Sequence, residues 1–235
     1  TVPLGELYGT RLESWLERHR VRVRKLTGAR SVEFDEDQSL RGVRLRDGDL
    51  EPADFVILAV PFPRVGQLLP SSVAETIPLL DLLKEWSTSP ITGVHLWFDR
   101  SVCPFDHVVL PGRVCHWVFN HSKIPNASGV RGAGESFGEY LQVVISASHD
   151  LAHMNKEEIL GVVRDELSAI WPAVRSAKLT RWWVVTEHAA TFAATPRLDR
   201  MRPDQRTPID GLYLAGDWTN TGWPATGIRP TSVQE

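Results

Sequence analysis

The longest apolar run in the chain, Phe55 to Phe62 (FVILAVPF), does most to limit what the sequence can build. It falls far short of the roughly eighteen residues that a membrane-crossing helix needs, so it is read as a strand. The near-continuous apolar character from Asp54 to Val60 suits a strand covered on both faces, the kind found in parallel sheets. Pro61 and Pro63 then stop it, because proline has no backbone donor for the ladder. A second short apolar strand is expected at Gly211 to Ala215, and it runs directly into Gly216-Asp217.

Between these two strands the chain alternates its periodicity. Tyr8, Leu12, Trp15, Leu16 and His19 recur at helical spacing and predict a helix over 5–19 with one packed stripe. Val21 to Leu26, Ser31 to Phe34 and Val43 to Arg46 read as a three-stranded meander, with turn-forming stretches between them. Residues 64–90 are helical in pattern, carried by Val65, Leu68, Leu69, Ile77, Leu80, Leu83 and Trp86, with Pro78 near a helix start. Strands are expected at Ile91 to Asp99, Val114 to Asn120, Tyr140 to Ala147 and Leu179 to Thr186, with a polar, glycine-rich loop from Ser122 to Glu139. Asn155 stands three residues before Glu158 in a capping-box arrangement, and Ile159, Val163, Leu167 and Ile170 form the stripe that follows, up to Pro172.

Composition excludes several functional classes. With 235 residues and 42% hydrophobic content, the chain can bury one large core or two smaller ones. A formal charge of −3 and no long run of like charges give no electrostatic reason to expect a nucleic acid partner. Cys103 and Cys115 form no CxxC pair, which supports neither a disulfide framework nor a thiolate metal site and fits a reducing, cytoplasmic setting. His149 and His153 share helical spacing, but no third ligand is evident, so no metal is expected. No GxSxG elbow is present. The opening TVPLGELYGTRLESW has no signal-peptide pattern and reads like the middle of a longer protein.

The chemistry points to GLYLAGDWTNTGWPAT, residues 211–226. Gly216 removes a side chain where backbone can meet a ligand, and Asp217 offers a carboxylate at a strand end, where open α/β sheets bind their ligands. Local chemistry alone leaves an ordinary turn equally open.

The segment AGDWTNTGWPAT closely resembles the carboxy-terminal FAD motif of carotenoid desaturases and squalene-associated desaturases. VPLGELYG, ADFVILAVPFPRVGQLLP, SPITGVHLWFD, HWVFN, LQVVISAS and TEHAATFAATP resemble the same group in the same order, over residues 2–226. The resemblance is to the flavin amine-oxidase and phytoene-desaturase superfamily, nearest to its hydroxysqualene dehydroxylase group. It implies that Gly216 and Asp217 meet the ribityl and pyrophosphate region of FAD. It further implies that Pro224, Ala225 and Thr226 lie beside the flavin ring and that Ser31 gives a backbone contact to the adenine. The implied fold is α/β, a partial Rossmann-like FAD-binding domain (1–62 and 207–235) with an inserted mixed-sheet α+β substrate domain (63–206).

Two departures accompany the resemblance. The chain holds no GxGxxG phosphate-binding fingerprint; the near match at Gly132, Gly134 and Gly138 has the wrong spacing. After Thr226 the sequence GIRPTSVQE lacks the helix with which the family continues, so a fragment is expected. Thr92 and Thr226 stand where amine oxidases resembling this chain carry a lysine and an aromatic residue, which favours a bulky apolar isoprenoid over an amine. Loose contact with a membrane surface follows from such a substrate. Trp97, Phe98, Trp117, Phe119, Trp182, Trp183 and Phe192 line either an apolar tunnel or ordinary core. Glu187 and His188 are either a proton-donor pair or a strand-end salt bridge. No residue is assigned as catalytic.

Overall fold

The structure is a computed structural model that describes residues 5–77, 80, 83, 85–123 and 138–222. The expected Ser122 to Glu139 loop and Pro78 therefore fall largely or wholly outside the described residues. The chain divides into two compact units, residues 1–23 with 88–190, and residues 24–87 with 191–235.

In the second unit, β1 (Ala29–Phe34), β2 (Leu40–Leu45) and β3 (Leu50–Pro52) form an antiparallel three-stranded sheet in chain order. The expected first strand, Val21 to Leu26, does not form. Arg20 and Leu26 have φ of 58° and 57°, a left-handed geometry that breaks a strand, and Val21 and Val23 are exposed. The third strand is instead the short Leu50–Pro52, an edge where proline's missing donor costs no ladder bond.

β4 (Val56–Leu58) and β10 (Leu212–Leu214) form a parallel pair. Val56, Leu58, Leu212 and Leu214 are buried, whereas Ile57 is 64% exposed, so β4 is covered on one face and not on both as its sequence suggests. The helices α1 (Phe62–Leu68) and α2 (Ser71–Ala74) follow, each entered through a proline, Pro61 and Pro70. Val65, Leu69, Val73, Ile77, Leu80, Leu83 and Trp86 join the two strands in one core, as the helical pattern predicts.

In the first unit, a five-stranded sheet has the order β6–β7–β8–β5–β9, built from β5 (Thr88–Phe98), β6 (His107–Val109), β7 (Trp117–Asn120), β8 (Glu139–Ser146) and β9 (Leu179–Phe192), most of which lies in this unit. Alternation decides its faces: Val94, Leu96 and Phe98 of β5 and Leu141, Val143 and Ile145 of β8 share one core with Ile159, Val163 and Leu167 of α3 (Lys156–Ile170). Each such side chain contributes about 1.5–3 kcal/mol on burial. The capping box is formed as expected: Glu158 N–H donates to Asn155 Oδ1 at 2.9 Å and Asn155 N–H to Glu158 Oε2 at 2.7 Å.

The helix before residue 20 also forms, as a wide-turned segment Glu6–Arg11 continuing into Leu12–Arg18. Its stripe is not packed as expected, since Tyr8, Leu12 and Trp15 are exposed. Trp15 and His19 stack on each other at 4.0 Å.

Candidate cofactor turn

The turn after β10 is built from the parallel pair upward. Leu212, Tyr213 and Leu214 stand opposite Val56, Ile57 and Leu58. The pairing extends past both ends of β10, with Val56 N–H donating to Gly211 O at 2.8 Å and Ala215 N–H to Leu58 O at 3.1 Å. Both strands thus end together, and the loop after each leaves from the carboxyl edge, the side on which open α/β sheets bind ligands. The Trp218 indole N–H donates to the Val60 carbonyl at 3.0 Å and ties the two loops to each other.

Gly216 has φ of +142°, and a Cβ there would lie 2.6 Å from the Trp218 Nε1. Glycine is therefore demanded both by backbone geometry and by the buried indole. The Gly216 carbonyl accepts from the Thr219 N–H at 3.1 Å and from its hydroxyl at 2.7 Å, which closes the turn. Trp218 and Thr219 are buried, while Gly216 and Asp217 are exposed. The two residues singled out by sequence are thus presented outward by a turn whose other half is fixed in the core.

Sequence reasoning missed what holds this turn. Arg202 lies two residues beyond the short helix α4 (Pro196–Arg200). Its guanidinium, with side-chain exposure of 3%, donates to the Asp217 carbonyl at 2.8 Å and to the Thr219 carbonyl. It also donates to Asp199 at 3.2 Å and lies 5.9 Å above the Phe192 ring. A charged donor is thereby spent on orienting a backbone turn. In the sequence Arg202 is one of many arginines, with no motif to mark it.

Ser31 lies half-buried in β1 opposite Arg44, and its hydroxyl donates to Glu33 at 2.6 Å. That bond, together with Arg44, holds the Glu33 carboxyl below its usual range. The next residue, Val32, is buried in the same core as Leu212, Leu214 and Trp218. Pro224, Ala225 and Thr226, like the glycines from 132 to 134, lie outside the described residues.

The remaining candidates separate cleanly. Thr92 is fully buried, and its hydroxyl bonds Ser148 at 2.8 Å and Thr186 at 3.0 Å, so it is sealed in the core. Phe98 and Phe192 are core, and Trp182 packs against the first unit's core. Trp97, Trp117 and Phe119 are half-buried on the sheet face opposite α3, and Trp183 is exposed. Glu187 bonds a neighbouring backbone N–H, at Ala189, and neither Glu187 nor His188 makes an ion pair among the described residues. His149 and His153 are both exposed, and no group of three metal-binding side chains occurs among the described residues. Cys103 and Cys115 are buried and free, and burial pushes both thiols up.

A parallel strand pair ending at an outward Gly-Asp turn, beside an antiparallel meander, defines part of a Rossmann-like nucleotide-cofactor fold. Comparison with known proteins agrees: residues 9–229 match the flavin containing amine oxidoreductase family, and the chain belongs to it. It is 27% identical to a tomato (Solanum lycopersicum) 15-cis-phytoene desaturase over 87% of this chain and 35% of that protein. It is 32% identical to a hydroxysqualene dehydroxylase of Sinorhizobium fredii over 74% of this chain, again 35% of the relative. The chain thus spans about a third of the length of these relatives. An oxidoreductase from Methanosarcina mazei shares the fold with a TM-score of 0.65 at 16% identity, covering 89% of this chain and 48% of that one. FAD is the cofactor this membership brings, and the turn fits it: an exposed glycine admits close approach, and the adjacent carboxylate can accept from ribityl hydroxyls.

Proposed function

We propose that the whole protein is an FAD-dependent oxidoreductase acting on squalene-like isoprenoids, by dehydroxylation of hydroxysqualene or by desaturation. The observation that carries this is the Gly216–Asp217 turn, fixed by Trp218 and Arg202 at the carboxyl ends of β4 and β10. In this reading Asp217 binds the ribityl and pyrophosphate region, Ser31 gives its backbone to the adenine, and Pro224, Ala225 and Thr226 border the flavin ring. Bound FAD would supply the hydride exchange; the chain's own residues bind it, orient it and keep the substrate dry.

The isoprenoid substrate is supported by similarity to a hydroxysqualene dehydroxylase and to phytoene desaturases. In the proposed division, residues 1–62 and 207–235 serve the cofactor and 63–206 the substrate. No helix among the described residues is long and apolar enough to cross a membrane. We place the protein in the cytoplasm, in peripheral contact with the membrane from which an apolar substrate is drawn.

The test is anaerobic mixing of the full-length, FAD-loaded protein, its flavin reduced beforehand for hydroxysqualene and left oxidised for phytoene or an aromatic amine, while the flavin absorbance is followed. A spectral change with an isoprenoid and none with the amine is expected. Bleaching by the amine alone would overturn the substrate class, and a full-length protein that cannot take up FAD would overturn the cofactor.

A further inference from the structure

The sheet face opposite α3 carries a polar cluster among aromatic rings. Strand register sets side chains in rows across β5, β8 and β7: Trp97 stands opposite Tyr140, His95 opposite Gln142 and then Phe119, and Gly93 opposite Val144 and then Trp117. Trp97 and Tyr140 stack at 4.5 Å with planes 3° apart, and His121 stacks on Tyr140 at 4.7 Å. Within this apolar surround, His95 Nδ1 meets the Tyr140 hydroxyl at 2.6 Å, and His121 Nε2 meets Gln142 at 2.7 Å.

The tautomer of His95 follows from its surroundings. Burial, with a smaller contribution from His121, pushes the His95 imidazole below its usual range, and burial raises the Tyr140 phenol, so both are neutral near pH 7. Between a neutral phenol and a neutral imidazole, the phenol is the stronger acid and donates to Nδ1. The ring proton then resides on Nε2, which has no hydrogen-bond partner among the described residues.

Gly93 lies beside that nitrogen. Glycine inside a strand weakens it, and is kept where packing forbids a side chain or where something else comes close. Packing does not forbid one here: a Cβ on Gly93 would meet His95 Nε2 at 3.7 Å and the Val185 carbonyl at 4.0 Å, both ordinary contacts. The missing side chain therefore leaves the backbone bare beside a polar donor at a position where packing does not exclude a methyl group.

We infer that His95 Nε2 and the space above Gly93 form the point at which an apolar ligand's single neutral oxygen is recognised, making His95 a specificity-determining residue for an isoprenoid alcohol over the parent hydrocarbon. The inference rests on the isoprenoid reading proposed above. The rings of Trp97, Tyr140, Phe119 and Trp117 supply the apolar bed, with the Arg181 guanidinium 5.0 Å over the Trp97 ring, and the imidazole supplies one donor to the hydroxyl oxygen. A charged amine finds no acceptor at a nitrogen that already carries a proton.

Equilibrium dialysis of the full-length, FAD-loaded protein against detergent micelles carrying hydroxysqualene or squalene tests this. The wild type is expected to prefer the alcohol by roughly tenfold, the factor one neutral hydrogen bond supports. His95→Phe keeps a ring and should erase the preference while leaving squalene affinity unchanged; His95→Gln, whose amide nitrogen reaches a similar point, should restore part of it. Gly93→Ala, which the fold accommodates, should also weaken only the alcohol. A preference that survives in His95→Phe and Gly93→Ala, or equal binding of both ligands by the wild type, overturns the inference and leaves the isoprenoid reading standing. If neither ligand binds while FAD does, the isoprenoid reading falls and takes this inference with it.

Discussion

Replacing Arg202 with methionine removes the guanidinium that organises the cofactor turn while keeping an apolar stem against Phe192. The Asp217 and Thr219 carbonyls lose their charged donor, at 2.8 Å in the first case. The buried Thr219 acceptor left unsatisfied costs about 1–3 kcal/mol, and the Asp217 carbonyl, on an exposed residue that water can reach, adds less, so the turn should lose about 2–4 kcal/mol. The ion pair to Asp199 adds little, because that carboxylate is 52% exposed and such pairs are worth at most ~1 kcal/mol. Every ~1.4 kcal/mol passed on to cofactor binding is tenfold in Kd. FAD titration of the full-length Arg202→Met protein, followed by flavin fluorescence, should therefore show affinity at least tenfold weaker, with Asp199→Asn near wild type. Wild-type FAD affinity in Arg202→Met would refute the reasoning that this side chain sets the turn.

Other perturbations give separate outcomes. Gly216→Ala should lose FAD binding and lower the melting temperature, since its Cβ would fall 2.6 Å from the Trp218 indole nitrogen; a variant that melts and binds normally would remove the case for that glycine. Glu139→Gln should destabilise by about 2–4 kcal/mol in denaturant titration, because Val102 and Cys103 N–H donate to Oε2 at 2.7 and 2.8 Å and Asn120 Nδ2 to Oε1 at 2.7 Å, so an amide nitrogen in either position would face a donor. Burial pushes the Glu166 carboxyl up, but the Cys115 thiol, the N–H groups of Cys115 and Val114, and Arg113 more than offset this and hold it below its usual range. Its contribution to stability is thus fully present above the unfolded-state value of 4.5 and is lost as pH falls through the lowered native value. Glu166→Gln should flatten that part of the acid-denaturation profile, and an unchanged profile would count against it. Asn155→Ala should cost about 1 kcal/mol of stability in the same assay, the usual worth of an N-cap.

Local signals were legible where the cause is local. The Asn155–Glu158 cap and the Ile159, Val163, Leu167 stripe need only their own helix, and both are formed as the sequence implies. The β10 strand and its Gly-Asp exit were equally legible, because an apolar run followed by glycine has few other uses. What the sequence concealed depends on distant partners or on single dihedrals. Arg202 reaches Asp217 across fifteen residues, and no spacing rule marks it. Val21 to Leu26 has strand composition, yet left-handed geometry at Arg20 and Leu26 withdraws it from the meander. Ile57 and the Tyr8, Leu12 and Trp15 stripe are apolar by pattern, but pattern cannot say whether a partner surface is present. The His95–Tyr140 bond depends on the register of β5 against β8, which only pairing reveals.

The most direct measurement is FAD affinity of the full-length protein with Asp217 changed to alanine. Asp217 is exposed, and circular dichroism of the cofactor-free variant checks that its fold is kept. Loss of a hydrogen bond to a charged carboxylate, about 1.5–3 kcal/mol, should weaken FAD by roughly tenfold to a hundredfold. Asp217→Ala binding FAD as tightly as the wild type would contradict the account at its centre.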